Sequence, residues 1–279
     1  MRWSPPLRKG LNPMNRRKSS HPFTVSRLQA LRLCPYRYHL QYELHIRVGG
    51  AASRQGIALH AAVAGFLLRW GKTDMETEVA RAVAQKPIDA RDRARVLGLA
   101  KGFESLMAPR IKQVLAVEEP ITVGIEHIAV VGRVDTVVET DRGLELWDLK
   151  TARQRGYLDA FPLGVYALGV KELLGRVPDR WAYINLGQGN AEVYMGGEEM
   201  ASGVIDVARQ TARRLLLVVP QHPNPGAWCQ SCPYRRWCPV IRPQPMPLPT
   251  HQPWLWQGPA TNKGGDGRSG GIKETACVK

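Results

Sequence analysis

Residues 132–150 read GRVDTVVETDRGLELWDLK, and the fold turns on how this stretch pairs with itself. RVDTVVE alternates over a β-branched run, DRG supplies turn chemistry, and LELWDLK alternates again, which predicts a two-stranded hairpin. With a two-residue loop at Asp141 and Arg142, position 135 lies across from position 148. Asp148 and Lys150 then project from one face and Leu149 points away. A three-residue loop would shift the pairing by one and put the two aspartates on opposite faces. Two carboxylates set that close resist joint ionisation unless a cation sits between them. Magnesium and manganese suit the place, being hard ions that take carboxylate, carbonyl and water oxygens. A lysine beside such an ion can orient or deprotonate a water, or offset charge on a phosphate oxygen. A lone Asp-x-Lys after a strand more often ends in solvent, so the rest of the chain has to support the chemistry.

The 279 residues are 44 % apolar, ample for a core, and contain no run of 18 apolar residues that would predict a membrane span. The first 22 residues lack the apolar centre of a signal peptide and read as a flexible basic arm, so the expected location is cytoplasmic. Lysine and arginine total 39 against 24 acids, for a net charge of +15, which points to a polyanionic partner and to nucleic acid before membrane.

Thr24 or Ser26 can cap a first helix, which Pro35 should kink or restart just after Cys34. Residues 51–70 are alanine-rich, free of proline and apolar nearly all round, predicting a buried helix with His60 in its middle and Gly56 one turn earlier on the same face. Such a histidine commonly belongs to a packed core; neutral imidazole is also a competent manganese ligand. Residues 75–86 and 89–108 predict two further amphipathic helices with basic outer faces. After Pro109 the pattern changes to strands, the first ending near Glu118, with Glu119 as its neighbour. Beyond the hairpin come a polar loop, a helix entered around Pro162, a strand pair with a Gly-rich turn, and an amphipathic helix from about residue 198.

Near the C-terminus AWCQSCPYRRWCP places Cys229, Cys232 and Cys238, which with Cys34 make four thiols from the two ends of the fold. Disulfides do not suit a cytoplasmic chain, which leaves zinc or an iron–sulfur cluster. Structural zinc favours paired knuckles, whereas cubane clusters accept uneven spacing and often show Cys-Pro. Trp228, Tyr234, Arg235, Arg236 and Trp237 interleave aromatic and basic groups that can bind a single strand, or can shield the cysteines. The Pro/Gly-rich residues 241–279, with a further Cys277, read as a disordered tail.

GRVD followed by WDLKT resembles the PD-(D/E)XK nuclease superfamily, and within it the RecB-like branch. The resemblance spans residues 24 to 240 in the order cysteine, Gly-x-x-x-His, acid, Asp, Asp-x-Lys, Tyr, three cysteines, the signature of iron–sulfur members such as the AddB C-terminal domain and the CRISPR spacer-acquisition exonucleases. It implies an α/β domain over 23–240 with a restriction-endonuclease-like core: a mixed central sheet flanked by helices, its ends joined by a 4Fe–4S clasp on Cys34, Cys229, Cys232 and Cys238. It further implies a Mg2+- or Mn2+-dependent deoxyribonuclease, an exonuclease of DNA repair, recombination, CRISPR or phage-type processing. Its partners would be single-stranded DNA or duplex ends, and helicase, repair or acquisition subunits. His60, Asp135, Asp148 and the Leu149 carbonyl would hold the metal, with Glu118 completing the shell. Lys150 would act on the attacking water, and Tyr166 would face the site or the DNA. The family's Gln-x-x-x-Tyr is broken here, since Pro162 stands where the glutamine belongs and Gln154 is a possible substitute. That departure favours the alternative, a catalytically silent nucleic-acid-binding subunit.

Overall fold

A computed structural model describes residues 23–48, 51–125, 128–151, 157–189, 191–215 and 222–248. The basic arm, Gln154, Cys277 and most of the proposed tail lie outside them. The chain divides into two units, Met1–Met246 and Pro247–Lys279, and every element below belongs to the first.

A short strand, β1 (Phe23–Thr24), leads into α1 (Val25–Leu33), whose cap is Thr24: its Oγ1 accepts the Arg27 N–H at 3.1 Å. Cys34 ends α1 in an extended conformation, and Pro35 starts α2 (Pro35–Tyr38), where the first turn needs no N–H from it. The chain then continues as one π-helical turn, His39–Glu43. Three helices follow, α3 (Ala51–Leu68), α4 (Met75–Gln85) and α5 (Ala90–Leu106), the last two capped by Asp74 and Asp89. Ala58, Leu59, Ala62, Val63, Phe66 and Leu67 of α3 are buried, but Ile57 and Leu68 are exposed, so the helix is buried on one side and not all round. Strands β2 (Gln113–Ile125), β3 (Ile128–Thr140) and β4 (Gly143–Lys150) come next, then α6 (Ala160–Leu174), β5 (Arg180–Asn185), β6 (Ala191–Gly196) and α7 (Ala201–Leu215). Among the described residues no helix is long and apolar enough to cross a membrane.

The six strands form one mixed sheet in the order β1-β3-β4-β5-β6, with β2 also on β3. β1 with β3 and β4 with β5 run parallel; the other pairs are antiparallel. Helices cover both faces. Val25 and Leu28 of α1, Phe161 to Val170 of α6 and Val204 and Ala208 of α7 pack on Leu144 and Leu146. Opposite them Leu59, Val63, Met75, Val79 and Phe103 from α3–α5 pack on Trp147 and Leu149. β4 thus alternates between two cores, which is why LELWDLK is nearly all buried.

The hairpin pairs Thr140 with Gly143 across Asp141 and Arg142, and the ladder continues to Thr136 opposite Trp147. One more step sets Asp135 against Asp148, as the two-residue loop requires. Gly143 sits at φ +96°, and a methyl group there would strike Asp179, whose carboxylate accepts the Leu144 N–H at 2.7 Å.

Candidate functional site

The site lies where the edge of β3 is left open. Along that edge β1 pairs only as far as Val131 and β4 begins only at Thr136. Between them Gly132 lets the Tyr166 ring of α6 press against the strand, at a distance a Cβ would not permit. At Asp135 the ladder has ended, and Oδ2 of its carboxylate accepts the Leu149 N–H at 2.9 Å.

On the other side of β3, Glu118 of β2 has φ +49°, a left-handed conformation that costs a non-glycine residue of the order of 1–3 kcal/mol. The twist aims its carboxylate at α3. His60 Nδ1 lies 3.6 Å from Glu118 Oε1 and 3.4 Å from Asp135 Oδ2, while His60 Nε2 donates to the Leu149 carbonyl at 3.1 Å. A carbonyl can only accept, so Nε2 carries a proton and Nδ1 is the nitrogen left for the carboxylates or a metal. Ligand atoms of His60, Glu118 and Asp135 all fall within 4.8 Å of one another, the spacing a single cation can span. Asp148 stands beside this trio, ion-paired with Lys150, whose Nζ is also 4.8 Å above the Tyr183 ring.

The charges respond to this crowding. Burial pulls His60 down, but the adjacent carboxylates of Asp135 and Glu118 outweigh it and lift the imidazole to about 10. Burial pushes Asp148 up to about 6, and Asp135 adds to the rise while Lys150 opposes it. Asp135 is held low despite its burial, chiefly by His60. Tyr166 and Tyr183 are raised by burial and by the charge of Asp148, so both phenols keep their protons.

His60, Asp135, Asp148 and Lys150 therefore lie together, with Glu118 inside the trio, while Tyr166 packs nearby against Gly132. Glu119 is set apart, paired in the ladder with Val134. Gly56 is not a steric necessity, since a methyl there would meet Thr151 Oγ1 at an ordinary 3.9 Å. The Leu149 carbonyl already serves His60 and keeps one lone pair for a metal. Three neighbours escape the sequence reading. Arg133 Nε binds Glu118 Oε2 at 2.7 Å, the Arg95 guanidinium holds the Thr151 carbonyl at 2.9 Å, and Tyr183 lies level with Asp148 on β5. Only Arg133 carried a signal, being inside the GRVD motif. Level with Lys150 is Asn185, buried, whose Oδ1 has no partner within the protein.

The family model of the PD-(D/E)XK nuclease superfamily matches residues 22–239. The chain belongs to that superfamily. A PD-(D/E)XK nuclease hydrolyses nucleic acid with divalent metal, and the His60–Glu118–Asp135 trio supplies the oxygen-rich donor set such an ion takes. Among solved structures, this nuclease fold resembles that of a protein named "Putative exonuclease" from Eubacterium rectale, with TM-score 0.50, 11% identity, and 81% of this chain and 90% of that one covered. The structure of SSO0001 matches at TM-score 0.32 and 17% identity over 75% of this chain and 95% of that one. No curated protein matches the chain.

The four cysteines form a second locus in the nuclease. Cys34, Cys229, Cys232 and Cys238 line one cavity together with Arg37 and Trp228. Backbone N–H groups of Asn224 and Gly226 donate to Cys34 Sγ and Cys229 Sγ, each at 3.4 Å. Asn224 Nδ2 to the Leu33 carbonyl (2.9 Å), Tyr36 OH to the Trp237 carbonyl (3.0 Å) and Tyr234 OH to the Ile46 carbonyl (2.9 Å) tie the two ends of the domain together.

Proposed function

We propose that this nuclease is a RecB-like, Mg2+- or Mn2+-dependent deoxyribonuclease that removes nucleotides from DNA ends, with a 4Fe–4S cluster on Cys34, Cys229, Cys232 and Cys238 as a structural clasp. The observation that carries the reading is the convergence of His60 Nδ1, Glu118 and Asp135 beside the Asp148–Lys150 pair. A divalent ion there supplies charge to acidify a water and to offset the developing charge on a phosphate. His60, Glu118, Asp135, Asp148 and the second lone pair of the Leu149 carbonyl would hold it. Lys150, carried on the same strand face as Asp148 and ion-paired with it, orients the water by donating to its oxygen and offsets the negative charge that develops on the phosphate. Tyr166 keeps its proton and offers it to a substrate oxygen at the open edge of β3.

End-directed cleavage fits the name of the E. rectale protein. The cluster reading is supported by the four cysteines around one cavity and by two N–H···S bonds. Repair, recombination or spacer acquisition, with a helicase or acquisition subunit as partner, is the setting such an enzyme suits.

The test is cleavage of end-labelled single- and double-stranded DNA by anaerobically purified protein in Mg2+ or Mn2+. Cleavage should vanish in EDTA and fall by at least a thousandfold in Lys150→Ala. One feature favours a non-catalytic, DNA-binding subunit instead: Pro162, in the first turn of α6 and one turn before Tyr166, supplies no polar group at the family's glutamine position. Binding without cleavage by both proteins would establish that reading.

A further inference from the structure

Several arginines of the fold are matched to carboxylates: Arg32 to Asp159, Arg69 and Arg81 to Glu78, Arg133 to Glu118, Arg142 to Glu145 and Glu192. The cysteine loop is built differently. From residue 207 to residue 265 the sequence contains no aspartate or glutamate. Within that stretch Arg235, Arg236 and Arg242, all exposed, line one open hollow of about 410 Å³ with Pro233 and Ile241, and no acid borders it. Arg235 donates to the Gln230 carbonyl at 3.2 Å, and with no carboxylate on the border the three guanidinium groups offer an anion a site without a competing acid.

Flat groups accompany the charge. Arg236 lies over the Trp237 ring at 5.2 Å. Arg235 borders both this hollow and the cysteine cavity, where Trp228 forms a wall. The outer side of Trp228 meets Tyr157 edge-on at 5.5 Å, and Tyr157 is 37% exposed. Tyr157 is seven residues beyond Lys150 in the chain. A continuous rim therefore runs from guanidinium groups to an open aromatic face on the segment that follows the catalytic strand.

We infer that this rim binds a single strand of nucleic acid, with Arg235, Arg236 and Arg242 on successive phosphates and an unpaired base stacked on the exposed Tyr157 ring, which Trp228 braces edge-on. A duplex would satisfy the arginines but keep its bases from the rings, so the aromatic pair selects the single strand. The inference rests on the nuclease reading and deepens it: the cysteine loop is the strand-holding surface of the same enzyme.

The test is fluorescence anisotropy of a labelled oligothymidylate in EDTA, where no cleavage occurs, over a range of salt. R235Q/R236Q/R242Q should weaken binding at least tenfold and flatten the salt slope by about 2, at roughly 0.7 for each phosphate left without its arginine. The triple lysine variant should restore the slope. Y157A should weaken binding by about tenfold with the slope unchanged. If the triple glutamine variant loses its fold by thermal melting, R242Q and Y157A carry the measurement. Wild-type affinity and slope in the folded variants would overturn the inference while leaving cleavage intact. Arginine-dependent binding by a protein that cuts nothing in Mg2+ or Mn2+ would overturn the nuclease reading and leave the inference standing.

Discussion

His60 Nε2 lies 3.1 Å from the carbonyl oxygen of Leu149, the residue between Asp148 and Lys150. A bond from α3 to the main chain of β4 thus fixes the imidazole ring and turns Nδ1 toward Glu118 and Asp135.

Without metal that imidazole is held at about 10, against about 6.5 for a free histidine. Because the folded value is the higher one, the stabilisation is complete below about pH 6.5 and is lost as pH rises through about 10. Asp148 acts in the same sense, its raised carboxyl favouring the fold below about pH 4 and losing that advantage through about 6. Urea melts in EDTA should therefore show stability falling as pH rises from 7 to 10. Mn2+ must displace the His60 proton, so its affinity should rise by up to about tenfold per pH unit over the same range. Calorimetry in buffers of different ionisation enthalpy reads the released proton. No proton release at pH 7 would place the metal away from His60.

Asn185 offers a separate handle. A buried Oδ1 without a protein partner costs roughly 1–3 kcal/mol. Asn185→Leu removes that cost, and the melting temperature should hold or rise. Because Asn185 is level with Lys150, activity should nevertheless fall at least tenfold if the amide receives a water or a substrate group. A variant less stable and equally active would show that the amide serves the fold alone.

Glu78 anchors the helical layer. It is 1% exposed, bonded to Arg69 Nε at 2.9 Å and Thr73 Oγ1 at 2.7 Å, and ion-paired with Arg81. Gly65 of α3 leaves the space that Glu78 and Arg69 occupy. The Arg69 hydrogen bonds hold the carboxyl at about 2, so its stabilisation is present above about pH 4.5 and is lost as pH falls through 2. Glu78→Gln should cost about 2–3 kcal/mol at pH 7, less than a wholly buried pair because both arginines are half exposed, and this difference should shrink at pH 2 in urea melts.

The cysteine cavity yields to metal analysis. Iron and sulfide at four each per chain, with a visible absorption band, is the expected result for anaerobic protein. Cys232→Ala should lose colour and solubility together. A colourless variant that stays soluble and fully active would defeat the clasp, and one zinc per chain would replace the cluster.

Much of this was legible because local rules agree with the fold. The β-branched run, the Asp-Arg-Gly turn and the alternation of β4 mark the hairpin, while the choice between a two- and a three-residue loop stays open until Thr140 is seen opposite Gly143, the register that brings Asp135 to Asp148. The break at Pro35 and the helix carrying His60 were equally local, whereas the choice of Thr24 over Ser26 as the cap was not. What stayed hidden depends on elements distant in the chain. Nothing in KQVLAVEEP signals that Glu118 takes φ +49°, because the twist exists only where β2 meets the end of the β3–β4 ladder. Tyr183 beneath Lys150 follows from the parallel pairing of β4 with β5, which alternation cannot register. Residues 51–70 are well buried on one side only, for a related reason: apolar composition does not say how many sides of a helix are covered, and Ile57 and Leu68 are left exposed.

The bonds that join residues 33–46 to residues 224–237 also impose a schedule. A ribosome adding about 5–20 residues per second would release Cys34 on the order of ten to forty seconds before Cys229 exists. During that interval the contacts of Leu33, Tyr36 and Ile46 with the C-terminal segment are all missing. The contacts that join the two ends can therefore form only once residues 224–237 have been made, so their presence reports a chain synthesised through the cysteine loop.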